Sequence, residues 1–206
     1  MTGLGSAPKL AAAADSPLVR EALEMAHSAH AGQVRNGSGG MPYVEHPIAV
    51  AAMLEEQGHG EEVLAAALLH DVVEDSETTL EELRQRFGDT IAGTVGALSD
   101  DESIDPYRER KAEHRERVAA AGADALAIYA ADKLTNVRTL SRAYAEQGEA
   151  VAAEFKVPLE LKLEVWEADL GLLREKAPEL PFLEPLEAEL RAFRAQLEAE
   201  TPPTSA

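Results

Sequence analysis

Residues 70–75 read HDVVED and directly follow the wholly apolar run VLAAALL at residues 63–69. One histidine and three carboxylates therefore stand at the end of an apolar helix. Burying charged groups there costs free energy unless a metal ion or another partner compensates them. Strongly perturbed ionisable groups cluster at functional sites, where chemistry requires them. We therefore expect the functional site to be built on this segment.

The spacing within residues 61–75, taken as one helix, brings the polar side chains of the motif together. Glu74 follows His70 by four residues and Asp71 by three, and Asp75 follows Asp71 by four. Residues three or four apart lie on the same face of an α-helix. A metal ion held by His70 and Asp71 would therefore have Glu74 or Asp75 within reach of its bound water.

Two ligands do not make a tight metal site, so further ligands are expected elsewhere in the chain. His46 stands at a predicted helix start after the glycine-rich loop of residues 33–45, and Asp132 follows the apolar run ALAIYAA. An unpaired aspartate in an apolar helix would be costly. Two imidazoles and two carboxylates suit Mn²⁺ or Fe²⁺, and this ligand set leaves Zn²⁺ open.

The order H…HD…D resembles the HD phosphohydrolase superfamily. The surrounding sequence is most similar to one branch, the hydrolase domain of the RelA/SpoT family and the stand-alone small alarmone hydrolases. The matching stretches follow the family's order and cover about residues 26–140; they are AHAGQVRNG, PYVEHPIAVAAML, AAALLHDVVEDSETTLEELRQRFG and ADKLTNVRTL. The resemblance implies an all-α fold, an HD-domain helical bundle, here with a C-terminal helical extension.

The resemblance also implies residue roles and a reaction. Mn²⁺ would be bound by His46, His70, Asp71 and Asp132. Glu74 and Asp75 would be catalytic, because they would activate or orient the attacking water and handle protons. The substrate-binding residues would be Arg35 and Asn136 on the guanine nucleotide and Lys111 on a phosphate. The implied reaction removes pyrophosphate from the 3′ position of ppGpp or pppGpp.

Two departures from the family pattern lie on the substrate side and leave the exact nucleotide open. Alarmone hydrolases often have a lysine after the loop arginine, where this chain has Asn36, and the loop at residues 37–41 is longer than usual. One alternative is an HD phosphohydrolase that acts on another nucleotide phosphoester. A second alternative is a non-catalytic sensor that binds alarmone or metal, although pure binding does not need the Glu74 and Asp75 pair.

Residues 107–117 read YRERKAEHRER and concentrate basic side chains in an otherwise acidic chain. Lys111 corresponds to a lysine that recurs in similar proteins, which favours a phosphate contact. Because glutamates are interleaved with the basic residues, a solvated, salt-bridged face is the competing interpretation. We expect His114, within this run, to lie at the surface.

The composition limits the function classes. The chain has 206 residues, no cysteine and a net charge of −19, so a thiol nucleophile is excluded and a general nucleic-acid binder is disfavoured by charge repulsion. No apolar run approaches the roughly 20 residues of a membrane span. We expect a cytoplasmic enzyme with a small anionic nucleotide as its partner and no membrane or nucleic-acid partner, and we leave a homo-oligomer open.

The chain is predicted to form one domain over residues 16–200, in which the helical extension covers about residues 150–200. Residues 1–15 and 201–206 are expected to be flexible ends. The predicted helices run from Pro17 to about His30, from His46 to Gly58, over residues 61–75, from the capping box at Thr79 to Gly88, from Asp105-Pro106 onward, after Asp124, and near 159–176 and 185–200. The last carries an apolar stripe, interpreted as core packing, at Leu186, Leu190, Phe193 and Leu197.

Overall fold

The computed structural model describes residues 10–200, and these residues fold into helices joined by short loops. The helices are α1 (Ala12–Asp15), α2 (Pro17–Ala29), α3 (Glu45–Glu56), α4 (Glu61–Leu69), α5 (Val72–Asp75), α6 (Leu80–Leu98), α7 (Tyr107–Ala121), α8 (Ala123–Gln147), α9 (Glu149–Ala152), α10 (Leu159–Lys176) and α11 (Leu183–Glu200). The β-type pairing within residues 10–200 is an isolated bridge between Val34 and Pro42. The all-α prediction is confirmed.

Local sequence signals account for the helix starts. The Ser16 hydroxyl accepts the backbone N–H of Val19 at 3.3 Å and caps α2, whose first residue is Pro17. Thr79 and Glu82 form the predicted capping box at the start of α6, with the backbone N–H of Thr79 donating to the Glu82 carboxylate at 2.8 Å. Both caps satisfy backbone groups that a helix end otherwise leaves unpaired.

The expectation of one continuous helix over residues 61–75 is wrong. Helix α4 ends at Leu69, His70 and Asp71 lie in a turn, and α5 then covers Val72–Asp75. Successive residues of a regular helix point about 100° apart, whereas this turn lets two neighbours face one point. As a result, His70 Nε2 lies 3.1 Å from Asp71 Oδ1.

The prediction that the short helix after Thr79 ends at Gly88 is confirmed, but a second helical segment that was not predicted follows it. Gly88 has the non-helical angles φ 84° and ψ 172°, so α6 consists of one segment before this residue and a second segment that continues to Leu98. Glycine enters this region of φ at little cost. The helix resumes because Ile91, Val95 and Leu98 follow a helical spacing and are all buried in the core.

At the N-terminus, residues 10–15 are packed where a flexible end was expected. The Leu10 side chain is buried, and the Ala11 and Ala12 backbone N–H groups donate to the Glu55 carboxylate at 3.0 and 2.5 Å. This contact ties residues 11 and 12 to α3. The rest of the predicted flexible ends, residues 1–9 and 201–206, lies outside the described residues.

The core is centred on α8, which packs against α3, α6, α7, α10 and α11. The apolar stripe of α11 is buried, as the core-packing interpretation predicts, and the Phe193 ring meets Tyr144 edge-on at 5.8 Å. Burying such a side chain fully contributes about 1.5–3 kcal/mol. The C-terminal helices thus hold α8 in place, and α8 carries Asp132. Within residues 10–200, no helix combines the length and apolarity that crossing a bilayer requires.

Candidate active site

The fold brings together the four predicted metal ligands from three separate elements. His46 comes from the first turn of α3, His70 and Asp71 from the turn after α4, and Asp132 from the middle of α8. His46 Nε2 lies 3.0 Å from Asp132 Oδ1 and 3.6 Å from Asp71 Oδ2, while His70 Nε2 lies 3.7 Å from Asp132 Oδ1. One potential ligand atom each of His46, His70 and Asp132 falls within 4.8 Å of the others. Asp71 contacts both histidines and so lies beside this cluster.

The hydrogen bonding of His70 fits a metal ligand. Its Nδ1 lies 2.7 Å from the carbonyl oxygen of Ala67, which fixes the proton on Nδ1. Its Nε2 is buried and faces the cluster, 3.1 Å from Asp71 Oδ1 and 3.7 Å from Asp132 Oδ1. Metal-binding histidines commonly donate their second ring N–H to a carbonyl or carboxylate in this way. Two imidazole nitrogens and two carboxylates therefore form a donor set that fits a divalent cation.

The electrostatics of the cluster differ between its two histidines. Burial lowers the pKa of His46 to about 4, and nearby Arg35 adds to the effect, so its imidazole is neutral. Burial would also lower the pKa of His70, but the Asp71 and Asp132 carboxylates outweigh burial and raise the pKa to about 9. The two buried carboxylates thus require positive charge between them, which either the His70 imidazolium or a divalent cation would supply.

Two neighbours on α8 hold the Asp132 carboxylate in one orientation. The Lys133 ammonium donates to Oδ2 at 2.7 Å, and the Asn136 amide donates to Oδ1 at 2.6 Å. Lys133 is itself buried, with its ammonium 4.2 Å from the centroid of the Tyr129 ring. Burial would raise the pKa of Asp132, but the ammonium of Lys133 and the two histidines hold it well below its usual range.

The predicted catalytic carboxylates lie at the mouth of the cluster, on α5. Glu74 and Asp75 are both exposed residues, but partial desolvation of the Glu74 carboxylate raises its pKa to about 7, and the negative charge of Asp71 adds to the effect. The backbone N–H of Asp100 donates to the Glu74 carboxylate. Burial raises the pKa of Asp75 as well. A carboxyl group with a pKa near neutrality can both accept and return a proton.

Two adjoining cavities meet at this site. The smaller, of about 140 Å³, is lined by the metal-ligand candidates, by Glu74 and by Lys111. The larger, of about 410 Å³, lies between the glycine-rich loop, α8 and α10. Both cavities are lined by Arg35, Tyr43 and Asn136. A ligand could therefore occupy the larger cavity and extend one end to the cluster.

Two of the predicted substrate-binding residues, Arg35 and Asn136, are in direct contact where the cavities meet. The Arg35 guanidinium donates to the Asn136 side-chain oxygen, and it lies 5.3 Å from the centroid of the Tyr43 ring. The Tyr43 hydroxyl donates to Asp71 Oδ2 at 3.0 Å. Through Asn136 and Tyr43, the loop arginine is thus connected to two of the metal-ligand candidates.

Sequence reasoning missed the contribution of α10 and the segment before it. Lys162 projects into the larger cavity, with its ammonium 4.6 Å from the Phe155 ring centroid and 5.5 Å from that of Trp166. Burial lowers the pKa of Lys162 to about 8, and the positive charge of Lys111 contributes to the shift. In the sequence, Lys162 is recognisable only as a lysine four residues before Trp166 on one predicted helix, and this spacing matches no functional motif.

The basic run of residues 107–117 divides between the two interpretations. Arg108 and Arg117 pair with Glu164 and Glu113, as a solvated, salt-bridged face would, whereas Arg115 pairs with the buried Asp169 of α10. Lys111, in contrast, lines the smaller cavity, and its ammonium lies 2.6 Å from Asp100 Oδ2.

The expectation that His114 is a surface residue is wrong. Its side chain is buried, with its ring edge-on to Tyr129 at 5.4 Å between centroids, and it lines the smaller cavity beside Lys111. Helix α7 crosses the site, so one turn of this polar helix faces inward. The charge of the surrounding run concealed that from the sequence.

The chain belongs to the HD domain family, whose model matches residues 22–157, more than half of its length. Similar proteins include guanosine-3′,5′-bis(diphosphate) 3′-pyrophosphohydrolase MESH1 of Danio rerio, 41% identical over 124 residues that cover 59% of this chain and 68% of that protein. The guanosine-3′,5′-bis(diphosphate) 3′-pyrophosphohydrolase of Aquifex aeolicus is 35% identical over 153 residues, which cover 72% of this chain and 22% of that protein.

A solved structure has the same fold. It is described by the words "A metazoan ortholog of SpoT hydrolyzes ppGpp and plays a role in starvation responses". It superposes with a TM-score of 0.70 at 30% identity, over 85% of this chain and 95% of that one. The similarity therefore extends past the matched motifs into the C-terminal helices.

Proposed function

We propose that this chain is a metal-dependent hydrolase that removes pyrophosphate from the 3′ position of ppGpp or pppGpp and leaves GDP or GTP. The observation that carries the proposal is the convergence of two histidines and two aspartates beside a cavity of about 410 Å³. Ligand cavities of roughly 300–1,000 Å³ hold small molecules. The similarity to relatives named as 3′-pyrophosphohydrolases of this nucleotide supports the same reaction here.

The proposed metal ligands are His46, His70, Asp71 and Asp132, and the proposed ion is Mn²⁺, with Fe²⁺ or Zn²⁺ as alternatives. When bound, such an ion lowers the pKa of water toward about 7 and stabilises charge on phosphate oxygens. The ordered contacts of His70 with Ala67 and of Asp132 with Lys133 support a site whose ligands are held before the ion arrives.

Glu74 is the proposed general base, and Asp75 orients the attacking water. Hydrolysis breaks the bond between the 3′ oxygen and phosphorus, so water adds its oxygen to pyrophosphate and one proton must reach the 3′ oxygen. With a pKa of about 7, Glu74 can take the proton from water and return it to the leaving oxygen. Its position at the mouth of the smaller cavity supports this role.

The nucleotide is proposed to occupy the larger cavity. Arg35 and Asn136 would contact it where the cavities meet, and Trp166 offers an aromatic face. The cations Lys111 and Lys162 would neutralise phosphate groups, which a chain with a net charge of −19 must attract locally. Asn36 stands where alarmone hydrolases often have a lysine, and it lines the larger cavity without a charge. Lys162 lines the same cavity and would supply the positive charge there.

The test is incubation of the purified protein with Mn²⁺ and ppGpp, with pyrophosphate and orthophosphate resolved among the products. Release of pyrophosphate with GDP is expected. Turnover of other nucleotides but not of ppGpp would favour the alternative of an HD phosphohydrolase that acts on another nucleotide phosphoester. Tight alarmone binding without turnover, in a protein shown to hold Mn²⁺, would favour a sensor. A cytoplasmic location and a homo-oligomer stay predictions.

A further inference from the structure

Asp100 is the first residue after the cap of α6, and it contacts both sides of the proposed reaction centre. Its backbone N–H donates to the carboxylate of Glu74, the proposed base. Its side-chain Oδ2 accepts from the ammonium of Lys111, the proposed phosphate contact, at 2.6 Å. One residue therefore links α5 to α7 across the smaller cavity.

The Asp100 carboxylate is the point on which the inward turn of α7 converges. Besides Lys111, Arg110 Nε lies 3.3 Å from Oδ2 and His114 Nδ1 lies 3.5 Å from Oδ1. The side chain of Asp100 is 9% exposed, so these charges interact with little solvent between them. This arrangement fixes the direction of Lys111, whose four-carbon stem would otherwise sample many rotamers.

We propose that Asp100 is a positioning residue: its carboxylate aims Lys111 at the transferred pyrophosphate, and its backbone N–H holds Glu74 against the same group. The inference rests on the proposed function, because it takes the roles of Glu74 and Lys111 from it. Asp100 itself does not touch the substrate. It acts by keeping the proposed base and the proposed phosphate contact in place at the same cavity.

This role has a particular kinetic signature. Asp100→Asn keeps the shape and the backbone N–H but removes the charge that orients Lys111. Misplacing a catalytic group by about 1 Å can cost on the order of 100-fold in rate, so kcat should fall by about 10- to 100-fold. Ground-state binding of pyrophosphate should stay the same or tighten, because a carboxylate that repels the anion is gone while Lys111 keeps its charge.

The experiment compares wild type, Asp100→Asn and the matched control Asp101→Asn. Asp101 is the exposed neighbouring acid, whose carboxylate accepts local hydrogen bonds from Ser103 at 2.6 and 3.0 Å. Turnover of ppGpp gives kcat and KM. Calorimetric titration of the Mn²⁺-loaded protein with inorganic pyrophosphate, at matched free Mn²⁺, gives Kd without any turnover. Asp101→Asn should match wild type in every value.

A double-mutant cycle with Lys111→Met shows whether Asp100 acts through Lys111. If it does, kcat of the double variant equals that of Lys111→Met. A further loss of tenfold or more in the double variant, or an unchanged kcat in Asp100→Asn, overturns the proposal. Weaker pyrophosphate binding by Asp100→Asn also overturns it, since that outcome indicates a structural role.

Two features keep the test decisive. Removing one member of a buried charge group can prevent folding, because it leaves the partner charge uncompensated. The double variant removes one charge of each sign and so avoids this cost. If Asp100→Asn alone does not fold, the comparison of Lys111→Met with the double variant still decides. If wild type does not cleave ppGpp, the proposed function fails. The pyrophosphate titration still tests the charge arrangement in that case: it is supported if Asp100→Asn binds pyrophosphate as tightly as wild type or more tightly, and Lys111→Met binds it more weakly.

Discussion

Gly37→Ala tests how the glycine-rich loop is held against the rest of the substrate cavity. Gly37 has φ +67°, and an added Cβ would lie 2.7 Å from Phe155 Cζ and 3.0 Å from Leu140 Cδ1. Its backbone N–H also donates to the Glu154 carboxylate at 2.6 Å. Arg35 lies two residues earlier in the same loop. The substitution therefore strains the backbone and pushes on two side chains that line the larger cavity.

The expected loss follows from two separate costs. A non-glycine residue in the left-handed region costs about 1–2 kcal/mol. Overpacking against Phe155 and Leu140 adds about 1–3 kcal/mol. Gly32→Ala is the matched control, because Gly32 has φ +77° and a Cβ there would meet no atom within 4 Å. The two variants share the first cost and differ by the second, so Gly37→Ala should be about 1–3 kcal/mol less stable than Gly32→Ala.

Thermal unfolding followed by circular dichroism measures the difference. For a protein of this size 1 kcal/mol corresponds to about 2–4 °C, so Gly37→Ala should melt about 2–12 °C below Gly32→Ala. A raised KM for ppGpp should accompany it, because the displaced Phe155 ring lines the cavity. Equal melting temperatures together with equal KM values would refute the packing of the loop on Phe155.

Three further substitutions separate metal binding, chemistry and substrate binding. Asp71→Ala should abolish both Mn²⁺ binding, measured by calorimetry, and turnover; retained metal would remove Asp71 from the ligand set. Glu74→Gln should keep the metal and lower kcat by about 10²- to 10⁴-fold. In wild type the rate should fall below about pH 7, as the Glu74 carboxylate takes up a proton. Lys162→Met should raise KM about tenfold, while exposed Lys156→Met should not; equal KM values would exclude Lys162 from substrate binding.

Much of the site could be predicted from the sequence because its residue types are chemically demanding. Histidines and carboxylates beside apolar runs, as at His70 and Asp132, have few structural explanations, and their order matches a family pattern. The helix boundaries followed from local signals such as the Ser16 cap and the Thr79 capping box, which depend on residues a few positions apart. The stripe on the last helix likewise predicted its own burial.

The interruptions and the substrate cavity could not be predicted in this way. Gly88 ends the first segment of α6 as predicted, but the helical segment from there to Leu98 was not predicted, because its burial depends on long-range packing. The turn at His70 and Asp71 forms where α4 meets α8, so the local apolar pattern did not reveal it. Lys162 and His114 sit in charged or ordinary helical sequence, and their burial depends on where α10 and α7 cross the site.

The sequence by itself therefore determined the helical class, the metal-ligand candidates and the carboxylates beside them, because these depend on residue chemistry and on spacing within one element. Only the tertiary structure decided that Lys162 joins the predicted Lys111 at the site and which elements line the larger cavity. Lys111 and Lys162 reach the site from α7 and α10, and Asp100 fixes one of them. Such choices depend on helix crossings set by the packing of the whole core, and no short stretch of the chain encodes them alone.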